Sequence, residues 1–181
     1  AVANYDSVAT QEGARKIVAT ALENFGRIDA LINNAGNFRT ALFEDYTLDD
    51  FQSLISSHLI GTFNVPQAVW PHMKAQKYGR IVFTASSAGL FGQLMLSAYG
   101  AAKGGIAALM NVLSEEGRPH GILCNGLMPN AAGRMASKSG EKMSPEQIKE
   151  AMAQAASVGK TMDPAFNTAL AQAGVNVQQA M

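Results

Sequence analysis

Residues 79–87 read Gly-Arg-Ile-Val-Phe-Thr-Ala-Ser-Ser. A short apolar run that opens at a glycine and closes in small polar residues is the pattern of a buried parallel strand whose carboxyl end spreads into a loop. The same pattern recurs on both sides. Upstream, Ile28-Asp29-Ala30-Leu31-Ile32 runs into Asn33-Asn34-Ala35-Gly36; downstream, Ile122-Leu123-Cys124-Asn125-Gly126-Leu127 stops at Met128-Pro129-Asn130. Helical spacings lie between. Residues 9–25 place Ile17, Ala21, Leu22 and Phe25 on one face, with Gly26 as a stop. Thr47 precedes Leu48, Phe51, Leu54, Ile55 and Leu59, with Asp49 and Asp50 in the first turn, where the helix dipole favours them. That helix is expected to run, bent near Pro66, to about Lys77, and an Ala-rich helix is expected from Ala98 to about Glu116. Strand–helix alternation predicts an α/β fold, a doubly wound parallel sheet with helices on both faces. Ligands then bind beyond the carboxyl ends of the strands, and the loops at 33–36, 84–89 and 128–133 share one rim.

Composition narrows the function classes. The 181 residues carry 14 Lys plus Arg against 14 Asp plus Glu, which leaves no cationic surplus for nucleic acid. Apolar residues make up 48% and charged ones 15%, enough for a packed core and far from the disordered class. No apolar stretch reaches the roughly 20 residues that span a bilayer, so no membrane partner is expected. Cys124 is the single cysteine, which rules out an internal disulfide and suits a reducing cytoplasmic or organelle interior, such as a peroxisome. His72 and His120 are isolated, and no His, Cys, Asp and Glu cluster has ligand spacing, so no metal site is expected.

Chemistry is carried by a spacing. Tyr99 and Lys103 lie four apart on the Ala-rich helix, hence on one face, one turn from each other. An ammonium beside a phenol favours the phenolate, and such a pair can exchange a proton with an alcohol or a carbonyl. The pair alone also fits an ordinary surface contact. Ser86 lies thirteen residues before Tyr99, at a strand end, where a hydroxyl can bond the substrate oxygen. Ser87 competes by position, and either serine also reads as a small loop residue. Asn33-Asn34-Ala35-Gly36 likewise reads as a plain turn.

Taken together, Asn33-Asn34-Ala35-Gly36, Ser86, Tyr99-Gly-Ala-Ala-Lys103 and Pro129 after the next strand resemble the short-chain dehydrogenase/reductase family over residues 1 to about 135. The resemblance implies a Rossmann-like fold and an oxidoreductase that uses NAD or NADP to interconvert a secondary alcohol and a ketone. It implies Tyr99 as general acid/base, Lys103 lowering its pKa and gripping the nicotinamide ribose, and Ser86 orienting the substrate. It further implies that Asn34, Ala35 and Gly36 line the cofactor groove, that Asp6 and Ser7 flank the adenine, and that Pro129, Asn130 and Ala132 border the nicotinamide. The implied partners are a small-molecule alcohol or ketone and, in the full-length form, a second copy in a dimer or tetramer.

Two departures from the family pattern shape these expectations. Where the family places an Asn that holds a relay water, this chain has His58-Leu59-Ile60-Gly61; His58 fits either a proton relay or a satisfied helix histidine. With that substitution, FGRIDALINNAG, WPHMKAQKYGRI and the run from Met128 to Met135 look like the (3R)-hydroxyacyl-CoA dehydrogenase subgroup found in type 2 multifunctional β-oxidation enzymes and bacterial relatives. A 3-hydroxyacyl thioester is then the implied substrate. Leu90, Phe91, Leu94, Met95 and Leu96 are candidate pocket or interface residues.

The second departure is the absence of the glycine-rich turn that holds the pyrophosphate. The first strand-helix-strand unit is lacking, and the chain opens at Ala1-Val2-Ala3-Asn4-Tyr5 as if a strand were under way, so a piece of a longer chain is expected. Residues 1–136 are expected to form a partial dehydrogenase domain, and 137–181 a lid, oligomer arm or tail. A helix at 145–157 is expected there, started by Ser144, Pro145 and Gln147. Two other functions fit less of the pattern: an inactive remnant or regulatory partner that has lost dinucleotide binding, and a nucleotide-sugar epimerase, which also uses a Tyr-x-x-x-Lys pair.

Overall fold

The computed structural model describes residues 1–129. The expected helix at 145–157, the division at 136–137, and Asn130 and Ala132 fall outside the described residues.

Helix α1 spans Gln11–Phe25, started by the Thr10 hydroxyl, which accepts from the Gly13 amide, and ended by Gly26 at φ 76°. Strand β1 (Ala30–Asn33) follows, then a short 3-10 turn at Phe43–Asp45. Helix α2 (Leu48–Leu54) opens on a reciprocal cap between Thr47 and Asp50 and passes through a π turn at Ile55–Ile60 into α3 (Gly61–Gln76). Strand β2 (Gly79–Thr84), a single-turn helix α4 (Ala88–Phe91), the long helix α5 (Ser97–Gly117) and strand β3 (Ile122–Leu127) complete the described fold.

The strands form a parallel sheet in the order β1-β2-β3, with Leu31 beside Ile81 and Ile81 beside Cys124. Parallel pairing puts residues in register on one face, and alternate residues on the other. The face bearing Ile81, Phe83 and Ile122 is fully buried against Val65, Val69 and Met73 of α3 and Ile106 of α5, while Ala14 and Val18 of α1 join the same core. Burial of each large side chain contributes roughly 1.5–3 kcal/mol of transfer free energy. On the opposite face Ile32, Leu123 and Leu127 are 61%, 45% and 54% exposed. The open Rossmann-like parallel sheet is as expected, but among the described residues its helical layer covers one face, not both. The crossovers all step in one direction, from β1 to β2 to β3, and right-handed crossovers in one direction lay their helices on one side.

The bend in the second helix also differs from expectation. The helix runs through Pro66 and Pro71, and the interruption lies at Ile55–Ile60. A π turn inserts one residue into the ladder and redirects the side chains that precede it, a device concentrated at functional sites. His58 sits in that turn.

Candidate active site

The carboxyl ends of β1 and β2 and the amino end of α5 converge on Tyr99, the third residue of α5. Helix α4 lies directly on α5. A Cβ built at Gly104 would stand 2.9 Å from the Gly89 carbonyl oxygen, so the two backbones touch where any side chain would separate them. This contact carries the segment that holds Ser86 onto the face of α5 that bears Tyr99 and Lys103. Ser86 accepts a hydrogen bond from the Ala88 amide at 3.2 Å, which fixes the turn out of β2.

Lys103 is only 4% exposed. Its Nζ donates to the Thr84 carbonyl at 2.5 Å and lies 5.4 Å from the centroid of the Tyr99 ring. Burial lowers the lysine pKa to about 8. The phenol of Tyr99 moves the other way: burial raises its pKa, and a hydrogen bond with the Ser86 side chain opposes the shift. The phenol lowered by Lys103 that sequence implies is therefore not what the geometry gives, because the ammonium stands over the ring and desolvation of the phenolate dominates.

His58 is buried, and its ring meets Tyr99 edge to face, 5.3 Å between centroids at 89°. Phe38 packs on the same ring at 5.4 Å and 78°. The Nε2 of His58 stands 2.6 Å from the Asn37 carbonyl oxygen. A carbonyl only accepts, so Nε2 carries the proton, and Nδ1, which has no partner among the described residues, is an unprotonated acceptor. Burial lowers the His58 pKa, with Lys103 acting in the same direction and the Asn37 carbonyl against it, so the imidazole is neutral.

Asn34, Ala35 and Gly36 are exposed beyond β1, where Asn34 accepts from the Thr84 hydroxyl at 3.2 Å. A cleft of about 120 Å³ is lined by Asn33, Asn34 and Ala35 together with Val8. Asp6 and Ser7 precede Val8 on the exposed segment leading into α1, and Pro129 ends the described residues, exposed beyond β3. The structure thus brings Ser86, Tyr99, Lys103 and His58 around one ring, and sets Asn34, Ala35 and Gly36 on the adjoining shelf. Sequence reasoning missed Thr84, Asn37 and Phe38. The first two act through backbone carbonyls, which no side-chain pattern reveals; Phe38 carried a signal, an aromatic residue two positions after the Asn-Asn-Ala-Gly loop. Among the described residues no His, Cys, Asp and Glu group could hold a metal ion, and no helix is long and apolar enough to cross a membrane.

Comparison with known proteins gives a consistent picture. The chain is 46% identical over 152 residues to the peroxisomal multifunctional enzyme type 2 of Mus musculus, covering 84% of this chain and 20% of that protein. It is 36% identical over 148 residues to the acetoacetyl-CoA reductase of Shinella zoogloeoides, covering 81% and 59%. Among solved structures it superposes on an NAD+-bound xylitol dehydrogenase with a TM-score of 0.69 at 34% identity, covering 77% of this chain and 57% of the other. A short chain dehydrogenase from Mycobacterium avium gives a TM-score of 0.71 at 34% identity, covering 74% and 48%. The chain therefore spans about a fifth of the mouse enzyme's length and roughly half of each solved dehydrogenase. Residues 2–145 match the short chain dehydrogenase family, and with the parallel sheet and the tyrosine–lysine helix already described, the chain belongs to that oxidoreductase family.

Proposed function

We propose that this chain carries the proton-transfer half of an NAD(P)-dependent interconversion of a 3-hydroxyacyl-CoA and its 3-oxo form. The observation that carries the reading is the buried Lys103, held by the Thr84 carbonyl against the ring of Tyr99, with the Ser86 side chain close enough to oppose the rise in the phenol's pKa. A buried lysine beside a phenol carries a desolvation cost that a Leu at the same place would avoid, which marks it as a candidate functional group.

The residues present fit the nicotinamide end of a dinucleotide. Asn34, Ala35 and Gly36 offer an exposed shelf of small side chains beside Lys103 and Thr84; among the described residues no glycine-rich strand-to-helix turn offers a place for the pyrophosphate. Bound there, the nicotinamide supplies the hydride acceptor. With the Tyr99 phenol protonated, as its raised pKa requires, the step that balances directly is reduction, in which the phenol would give its proton to the ketone oxygen as hydride reaches the same carbon; oxidation is the reverse, the phenolate taking the hydroxyl proton to leave ketone, reduced nicotinamide and one proton. Ser86 donates to the substrate oxygen. Lys103, with a pKa of about 8, exchanges the proton near neutral pH, and neutral His58 offers Nδ1 as the next acceptor.

The thioester substrate is supported by the name of the Shinella relative, an acetoacetyl-CoA reductase, and by Leu90, Phe91 and Leu94, exposed on α4 and the turn that follows it. The peroxisomal relative favours an organelle interior as the setting. Exposed Phe63 and Val112 on α3 and α5 suit pairing with a second copy.

The test is nicotinamide reduction by the 181-residue chain with 3-hydroxybutyryl-CoA, alongside titration calorimetry with NAD and with NADP. Tyr99→Phe is expected to lose about 10²–10⁴-fold in turnover with dinucleotide binding retained. Full activity in that variant would overturn the assignment, and a folded chain that gives neither heat nor turnover would favour a non-catalytic partner.

A further inference from the structure

We propose that Tyr46 is a positioning residue that shapes the acyl end of the active site by fixing the Met95 carbonyl. The inference rests on the oxidoreductase reading above and adds the element that sets its preference for chain length. Met95 stands at φ 66°, a left-handed conformation that costs an unbranched non-glycine residue energy and persists only where its surroundings hold it. Two groups of the segment 37–46 hold it. The Ala41 amide donates to the Met95 carbonyl at 3.2 Å, and the Tyr46 hydroxyl lies 3.3 Å from the same oxygen and 2.9 Å from the carbonyl of Arg39. Tyr46 therefore bridges two carbonyls of the rim with one hydroxyl proton, that of Arg39 more closely and that of Met95 at the longer distance.

The position of that tie gives it consequence. Met95 is followed by Leu96, buried, whose carbonyl accepts the Gly100 amide at 2.6 Å and so starts the helix that presents Tyr99. On its other side Leu90, Phe91 and Leu94 are 52%, 69% and 46% exposed, an apolar edge on α4, the helix whose Gly89 touches the backbone of Lys103 and Gly104, and on the turn that follows it. The segment that Tyr46 anchors also carries Phe38, packed on the Tyr99 ring, and Asn37, the acceptor for His58. A released Met95 would relax towards negative φ and carry Leu94 and Phe91 with it. An acyl chain that reaches this edge would lose its contacts, while the reacting hydroxyl, held by Ser86 and Tyr99, would not.

The experiment compares Tyr46→Phe with the unaltered chain on 3-hydroxybutyryl-CoA and 3-hydroxydecanoyl-CoA, and follows amide exchange at Ala41. Tyr46→Phe is expected to raise KM for the long substrate about fivefold, the equivalent of one net hydrogen bond of about 1 kcal/mol, with kcat and the short-substrate KM unchanged. Exchange at Ala41 is expected to quicken by a similar factor. In a Met95→Asn background both effects should shrink, because asparagine adopts left-handed φ without the tie. An unmoved long-substrate KM overturns the proposal even where exchange at Ala41 quickens, since that result describes a structural bond alone. Unchanged exchange at Ala41 overturns it in any sample, active or not. Absence of turnover with Tyr46 intact counts against the oxidoreductase reading instead.

Discussion

The ammonium of Lys103 and the carbonyl oxygen of Thr84 are 2.5 Å apart, inside a wall of packed side chains that leaves the lysine 4% exposed. One hydrogen bond does not replace the hydration of a cation, and the result is a pKa lowered from 10.5 to about 8.

Stability should therefore rise with pH above neutrality. The unfolded chain holds the Lys103 proton up to 10.5 and the folded chain only to about 8, so between those values the unfolded state binds more protons. Stability increases wherever that holds. Below about 8 the penalty is present in full, and it is relieved as the pH climbs through that value. Urea unfolding at about pH 7 and about pH 9.5 should show a gain of about 1–2 kcal/mol. Lys103→Met should abolish the gain. An equal gain in both proteins would mean that other groups produce it.

Adjacent glycines of α5 should respond oppositely to alanine. At Gly104 a Cβ meets the backbone oxygen of Gly89 at 2.9 Å, and only separation of the two helices relieves the clash. Gly104→Ala should cost about 2–3 kcal/mol and lower turnover by displacing Ser86. At Gly105 a Cβ meets the terminal methyls of Leu59 at 2.9 and 3.0 Å, which can swing aside. There the helix propensity of alanine, worth about 0.8–1 kcal/mol over glycine, offsets the shift, and Gly105→Ala should unfold close to the unaltered chain. Equal costs at both positions would show that the α4–α5 contact is not what matters.

Neighbours on β3 should also separate. Ile122 is fully buried on the helix-covered face, and Leu123 is 45% exposed on the other. Ile122→Ala should cost about 2–5 kcal/mol and Leu123→Gln within about 0.5 kcal/mol, measured by chemical denaturation of the 181-residue chain. A large cost at Leu123 would mean that both sheet faces are covered.

Strand and helix identities were legible because the physics behind them is local. Ile81-Val82-Phe83 is apolar on both pleats, and Thr47 and Gly26 announce the ends of their helices through their own bonds. The proline-centred bend was not, because Pro66 sits where α3 tolerates it and the π turn at Ile55–Ile60 is set by what His58 must reach across the fold. Spacing singled out Ser86, Tyr99 and Lys103, and their implied roles came from the family resemblance rather than from the spacing. The direction of the Tyr99 shift was not legible, since it depends on burial, and burial is decided by Phe38 and His58 arriving from distant stretches of chain.

Gly36 and His58 should prove energetically coupled. The place a Cβ would take at Gly36 is filled by the imidazole of His58, whose Nδ1 lies 2.6 Å from it. The ring cannot yield easily, being tied to the Asn37 carbonyl on one side and wedged on Tyr99 on the other. Gly36→Ala should cost about 1–3 kcal/mol, an overpacking penalty. In a His58→Ala background the added methyl enters vacated space, so the same substitution should cost little or nothing, and a double-mutant cycle on urea unfolding should return a coupling of at least about 1 kcal/mol. Additive costs would mean that the glycine answers to the backbone conformation at 36 rather than to the ring. The coupling also separates two uses of this position: a cofactor shelf alone asks for a small residue facing outward, whereas contact with His58 forbids the side chain from within.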